Sequence, residues 1–474
     1  MEVTSVELDV GDAGPAEVYA ALRTLSTHTF LFESAEVGES GRYSFVGFSP
    51  ALRVQCDGDR VTVEPYDPDY EDLVSEDGLE GEGDDYFLLM KRCLGSLPRI
   101  EGKGFVGGLV GYVSYDVVEP WLDVKPTTIP DPEWPGFEFC LYDSTVRFDH
   151  VEGKVELVSV HPEGYEVEWK AEAIEECVRE VKEAEAPRVY RTGEPERDVE
   201  KEEFEEMVER AKDYIVAGDI FQVVLSRRVE VRAVADALTV YERLKAVNPS
   251  PYMYCVEFGE RRIIGSSPET LVKVEGDRIV TKPIAGTRPR GETPEEDERL
   301  AREMLEDEKE LAEHAMLVDL ARNDVGKVSK PGTVEVTRLM EVEKYSHVQH
   351  IVSEVVGEAK EGVTPWDVLR ATFPAGTVSG APKVRAMEII DELEVYKRGP
   401  YAGGVGYVSW TGDADFAIAI RTIFSVGRRW FTQAGAGIVY DSVPEREWFE
   451  TENKMAAMVG AILGDETGTD QQQG

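Results

Sequence analysis

The stretch RRIIGSSPETLVKVEGDRIVTK, residues 261–282, decides the fold class. Its runs of Ile, Val and Thr on either side of Gly276-Asp277 read as a β-pair. It passes through PIAGTRPRG, residues 283–291, into an acidic segment read as one long helix over about 295–322. Upstream, VEKEEFEEMVERAKDYIVAG places Phe204, Val208, Ala211 and Ile215 on one helical face with Gly218 beyond its end, and DIFQVVLSRRVEV follows as a strand. Hairpins and helices in this order predict an α+β fold, because a parallel sheet would alternate single strands with helices.

Before residue 185, RYSFVGF, LRVQC, GFVGGLVGYVSYD, TVRFD and KVELVSV alternate with Gly, Pro and Asp turns and predict further antiparallel sheet. A helix over about 165–185 then leads into the linker APRVYRTGEPERD. The chain divides into a β-rich segment 1–190, a second domain 198–464 and a disordered polar tail 465–474.

The 474 residues carry 51 basic and 94 acidic side chains, a formal net charge of −43. A field of that sign repels phosphate backbones and anionic membrane surfaces, so neither nucleic acid nor membrane is an expected partner. Acidity spread along the whole chain fits a halophilic cytoplasm, where salt screens self-repulsion. Five scattered cysteines without a C-x-x-C spacing predict reduced thiols. The N-terminus MEVTSVELDV shows no basic region followed by an apolar run, and no apolar run reaches the ~20 residues of a membrane span; the expected location is cytoplasmic.

Several residues could carry chemistry. Within EDEKELAEHAMLVDLARND, Glu310, Glu313, His314 and Leu317 share one helical side. In SVPEREWFETENKMAAMVGAILG, Glu447, Glu450 and Lys454 do the same. Solvated Glu–Lys faces account for both patterns, and so does one Glu from each helix holding Mg²⁺, which takes one or two protein carboxylates. Gly435-Ala436-Gly437 reads as a turn whose N–H groups could meet an anion. Thr377, Ser379 and Lys383 sit at a loop-to-helix transition, and Arg421 is a cation in the apolar run FAIAIRTIF. His350, in SHVQHIVSEVVG, serves equally as a structural or a proton-transferring histidine. PIAGTRPRG taken alone is a turn, with Gly286 and Thr287 its only reactive atoms.

Together these segments resemble the chorismate-utilising enzymes. The resemblance is carried by FQVVLSRR, NPSPYMY, IIGSSPETLV, PIAGTRPRG, DEKELAEHAMLVDLARNDVGKV, ATFPAGTVSGAPKVRAMEIIDELE, RGPYAGGVGYVSW and QAGAGIVYDSVPEREWFETENK, and more loosely by FLFESAEVGESGRYSFVG. It implies two mostly antiparallel β-sheets packed as a sandwich with surrounding helices. It also implies that Gln222 stands where water-using members carry a Lys base, and Ala285 where some aminating members carry a Lys nucleophile. Ammonia is then the expected nucleophile, attacking C2 of chorismate directly.

By the same resemblance Glu313 and Glu450 hold Mg²⁺. Gly286, Thr287, Tyr401, Arg421 and the backbone of Gly435, Ala436 and Gly437 position chorismate. Glu310 is the general acid, burial among carboxylates keeping it protonated near neutral pH. His350 is the base at C2, with Thr377 and Lys454 beside it, and pyruvate leaves as the ring aromatises. Ser34, Pro251, Tyr252 and Met253 match a feedback pocket for tryptophan. Without a glutaminase domain of its own, the chain is expected to take ammonia from a separate glutamine amidotransferase subunit in a hetero-oligomer. An aminodeoxychorismate synthase lacking the Lys, or a catalytically silent regulatory homologue, is the alternative.

Overall fold

In the computed structural model, residues 1–35, 41–58, 60–73, 85–95, 97–122, 126–181, 190–191, 193–345 and 348–464 are described. The deciding stretch forms three strands, Arg261–Ser267, Thr270–Glu275 and Arg278–Thr281. Only the last two make the expected hairpin, across Gly276 at φ +64°. Pro268 cannot donate to a ladder, and there the chain leaves one sheet and enters the other. Glu269 is therefore carried into the interior, with 6% of its surface exposed.

Among the described residues the two sheets have 13 and 11 strands, and every strand ladder is antiparallel. Their facing sides enclose one core, with Phe30, Tyr254 and Phe424 from the first sheet against Phe139, Val272 and Phe416 from the second. This is the expected α+β sandwich. The outer face of the larger sheet is covered by the helices Pro15–Leu22, Ala237–Val247 and Pro444–Leu463, whose apolar sides pack around Trp430.

The expected boundary near residue 190 does not separate two sheets. His28–Glu33 pairs with Tyr252–Phe258 in the first, and Gly108–Val113 pairs with Gly404–Ser409 in the second. The tail 465–474 lies outside the described residues. The helix read over 295–322 is two, Pro294–Glu306 and Glu308–Val328. Asp307 divides them because its carboxylate accepts hydrogen bonds from the N–H groups of Lys309 and Glu310, capping a new helix. PIAGTRPRG likewise is more than a turn. Ile284–Pro289 is a strand paired with Val348–Glu358, and one extra residue between Ala285 and Arg288 bulges it toward the helix Glu308–Val328. Four of the five cysteines are buried and none forms a disulfide. No helix among the described residues is long and apolar enough to cross a membrane.

Candidate active site

A cavity of about 800 Å³ opens between the bulged strand, the N-terminal half of Glu308–Val328, the end of the strand Arg429–Ile438 and the first turns of Pro444–Leu463. Gly286, Thr287, Glu310, Glu313, Thr377, Arg421, Gly435, Gly437, Glu450 and Lys454 line it, as do Gln222, Arg288 and Glu447. Thus both glutamate-bearing helix faces read from the sequence meet one space.

The carboxylates are held individually. Gln222 Nε2 donates to Glu313 Oε1 at 2.8 Å, Arg288 Nη1 donates to Glu310 Oε1 at 3.1 Å, and Lys454 Nζ donates to Glu450 Oε1 at 2.6 Å. Burial pushes the Glu313 carboxyl up from its ordinary value, the charges of Glu310 and Glu450 adding to the effect while the Gln222 amide opposes it. Among the described residues no side-chain cation forms a salt bridge with Glu313, although the charge of Lys309 also opposes the rise. A desolvated carboxylate crowded by two others is a donor set that a hard divalent cation would relieve, so the residues fit Mg²⁺. Among the described residues no group of three or more His, Cys, Asp or Glu side chains is placed to hold a metal ion.

Gly435 and Gly437 belong to a strand, which corrects the expected turn. Their N–H groups are nevertheless available. Their ladder partners Ser226 and Val224 send their own N–H groups the other way, to Glu394 Oε1 and to the Ser379 carbonyl. Both glycines therefore occupy non-hydrogen-bonded positions and turn N–H and C=O toward the cavity. Lys454 Nζ confirms that direction by donating to the Gly435 carbonyl at 2.9 Å. A Cβ would crowd its neighbours here, standing 2.9 Å from Val224 Cγ1 at Gly435 and 2.7 Å from Gln222 Nε2 at Gly437. The Ala436 backbone, expected to position substrate, sits opposite Leu225 in the ladder, and its side chain belongs to the core cluster that includes Val208 and Trp448.

The Arg421 carbonyl accepts from the Ser266 N–H at 3.1 Å, but its guanidinium makes no hydrogen bond or ion pair among the described residues, and the residue is held at φ +50°, a left-handed backbone that costs a non-glycine residue about 1–3 kcal/mol. Burial lowers its pKa, opposed by the charge of Glu450. A guanidinium on a cavity wall without a carboxylate partner is a ready receptor for an anionic ligand. Tyr401, 2% exposed, does not reach the cavity and packs behind Gly435.

His350 stands behind Thr287 and does not line the wall. Its Nδ1 lies 2.9 Å from the Gly286 carbonyl, which can only accept, so Nδ1 carries the proton and Nε2 of the neutral ring is unprotonated. Burial holds this imidazole below its ordinary range. His314, read on the same helix side as Glu310 and Glu313, turns away. Its Nε2 meets Ser353 Oγ at 2.6 Å, and burial lowers its pKa to about 4.

Sequence reading missed Glu269. Its carboxyl lies beside the Thr377 hydroxyl and the Ile284 N–H, with no cation near, and burial pushes it up to about 8. The Thr377 hydroxyl is buried without a well-formed hydrogen bond. Thr377 and Ile284 both line the large cavity, so Glu269 lies one side chain behind its wall, where burial favours the neutral carboxyl. Its only signal in the sequence is an acid between Pro268 and the apolar run of an interior strand. Glu310, assigned that role from the sequence, is instead ion-paired to Arg288.

A second cavity, of about 330 Å³, is lined by Ser34, Pro251, Tyr252 and Met253 together with Phe32, Arg42, Phe105 and Tyr407. It shares no wall residue with the first. A space of about 150 Å³ between them is bounded by Ser34 and Tyr252 on one side and by Ile284 on the other.

Sandwich, carboxylate-lined cleft and unpartnered arginine define a class. A family model described as chorismate binding enzyme matches residues 87–460, and the chain belongs to that family. It is 48% identical to anthranilate synthase component 1 2 of Haloarcula marismortui, over 97% of this chain and 92% of that protein. It is 46% identical to anthranilate synthase component 1 of Aquifex aeolicus, over 96% and 93%. The crystal structure of anthranilate synthase component I from Streptococcus pneumoniae superposes with a TM-score of 0.74 at 36% identity, covering 90% of this chain and 94% of that one. The menaquinone-specific isochorismate synthase of Escherichia coli shares the fold, with a TM-score of 0.70 at 20% identity.

Proposed function

We propose that the chain is the chorismate-aminating component of an anthranilate synthase, a lyase that adds ammonia to chorismate and releases pyruvate to give anthranilate for tryptophan synthesis. The observation that carries this reading is the single cavity lined by both Arg421, whose guanidinium has no hydrogen-bond or ion-pair partner among the described residues, and the carboxylates of Glu313 and Glu450. Gln222 and Ala285 offer neither a water-activating amine nor a covalent nucleophile, which favours free ammonia.

Chorismate is a dianion. Arg421 and the Gly435 and Gly437 N–H groups would hold one carboxylate, and Thr287 would hydrogen-bond the same molecule. Glu313 and Glu450 would hold Mg²⁺, which supplies positive charge for the ring carboxylate in a protein whose overall field repels it. Glu269, neutral by burial, would protonate the departing ring hydroxyl by way of Thr377 as ammonia adds at C2. His350, neutral and with Nε2 free, would then remove the C2 proton while the enolpyruvyl group leaves as pyruvate. Lys454 would neutralise Glu450 and fix the Gly435 carbonyl. The component 1 designation of the relatives supports a separate glutamine-hydrolysing partner as the ammonia source, and the 330 Å³ cavity suits tryptophan as a feedback ligand.

Arg421→Ala is expected to raise KM for chorismate about 100-fold with ammonium as nitrogen source, because a buried charge-assisted contact to the substrate is lost. Steady-state kinetics test this, and an unchanged KM would place the substrate carboxylate elsewhere.

A further inference from the structure

The large cavity contains a cation that the reaction above does not use. Arg288 lies just past the bulge of Ile284–Pro289 and reaches across to the start of the helix Glu308–Val328. Its Nη1 donates to Glu310 Oε1 at 3.1 Å and to the Thr287 carbonyl at 3.0 Å, and its Nη2 stands 3.7 Å from Asp307 Oδ2. It thereby ties the strand that carries Gly286 and Thr287 to the helix that carries Glu310 and Glu313. The approach is close: a Cβ on Gly286, which has φ +63°, would stand 2.9 Å from Glu310 Oε2.

We propose that Arg288 is a positioning residue that occupies the Glu310 carboxylate until a divalent cation enters, so that this ion pair sets the cation affinity of the site. The inference rests on the metal reading above. Glu310 and Glu313 lie one turn apart on the same helix side and their charges act on each other. A divalent ion drawn to Glu313 competes with Arg288 for the field of Glu310. The guanidinium repels the ion and holds back one carboxylate, so empty-site order comes at the expense of metal affinity. Once released, Arg288 stands at the cavity wall free to face an incoming dianion. Metal and substrate binding are then coupled through one side chain.

The test is Mn²⁺ binding to the full chain, followed by electron paramagnetic resonance of the free ion without substrate. Arg288→Gln is expected to bind Mn²⁺ about tenfold more tightly than the wild type, and Arg288→Lys, which keeps the charge, to stay within about threefold of it. Equal or weaker binding in Arg288→Gln overturns the proposal. A readout in the unmutated protein guards against a variant that does not fold. Phenylglyoxal labelling of Arg288, followed by peptide mass spectrometry, should rise severalfold on adding Mg²⁺, and unchanged labelling overturns the proposal as well. Glu313→Gln separates the two readings. If it removes Mn²⁺ binding while Arg288→Gln changes nothing, the metal site stands and the Arg288 role falls; if it leaves Mn²⁺ binding intact, both fall.

Discussion

Glu269→Gln is expected to lower kcat with ammonium about 1,000-fold while making the protein more stable at pH 8. Removing a general acid costs typically 10²–10⁴-fold, and glutamine reproduces the shape of the neutral carboxyl without its transferable proton. The stability effect has the opposite sign. Burial pushes the folded carboxyl up to about 8 from an ordinary value of 4.5. Its folded-state pKa is raised, so the folded protein binds more protons, and this contribution is complete below pH 4.5 and lost as pH climbs toward 8. An uncharged glutamine does not carry that loss. Relative to the wild type, the variant should gain on the order of 3 kcal/mol between pH 5 and pH 8, measured by denaturant unfolding at the two pH values. With Glu269 as the acid, wild-type activity is expected to fall as pH rises above about 8, measured as the pH dependence of kcat with ammonium. A variant with full kcat would return the acid role to Glu310 and require its ion pair with Arg288 to break.

Glu313→Gln is expected to abolish Mg²⁺-dependent turnover, a loss of at least about 1,000-fold, without unfolding the chain. Glu313 is desolvated, crowded by the charges of Glu310 and Glu450, and hydrogen-bonded to the neutral Gln222 amide, with no salt bridge to a cation among the described residues. An amide there relieves the crowding, so melting temperature should hold or rise while activity is lost. A Mg²⁺ titration of ammonium-driven turnover beside a thermal melt measures both. Retained activity with an unchanged Mg²⁺ midpoint would remove Glu313 from the metal site.

Much of this architecture is legible in the chain because local patterns and long-range packing agree. The 3.6-residue spacing in the helices Lys201–Ala217 and Pro444–Leu463 and the alternating runs of the hairpins survive intact. What is not legible depends on distant partners. Pro268 looks like a break within one hairpin, and only three-dimensional pairing reveals it as the crossing between two sheets. The Gly435–Gly437 segment has the composition of a turn, yet it is a strand whose N–H groups are freed because Ser226 and Val224 bond elsewhere. His314 follows Glu313 directly, so helical spacing alone cannot tell that Ser353 draws it away. The acid reading follows the same division: Glu310 is singled out by its neighbours in sequence, whereas the burial that pushes Glu269 up is encoded by no local pattern.

The most direct test of the whole account is the identity of the products. The purified chain, given chorismate, Mg²⁺ and ammonium, is expected to release anthranilate and pyruvate in equal amounts, followed by anthranilate fluorescence and a coupled pyruvate assay. Accumulation of aminodeoxychorismate without pyruvate, or no consumption of chorismate, would contradict it.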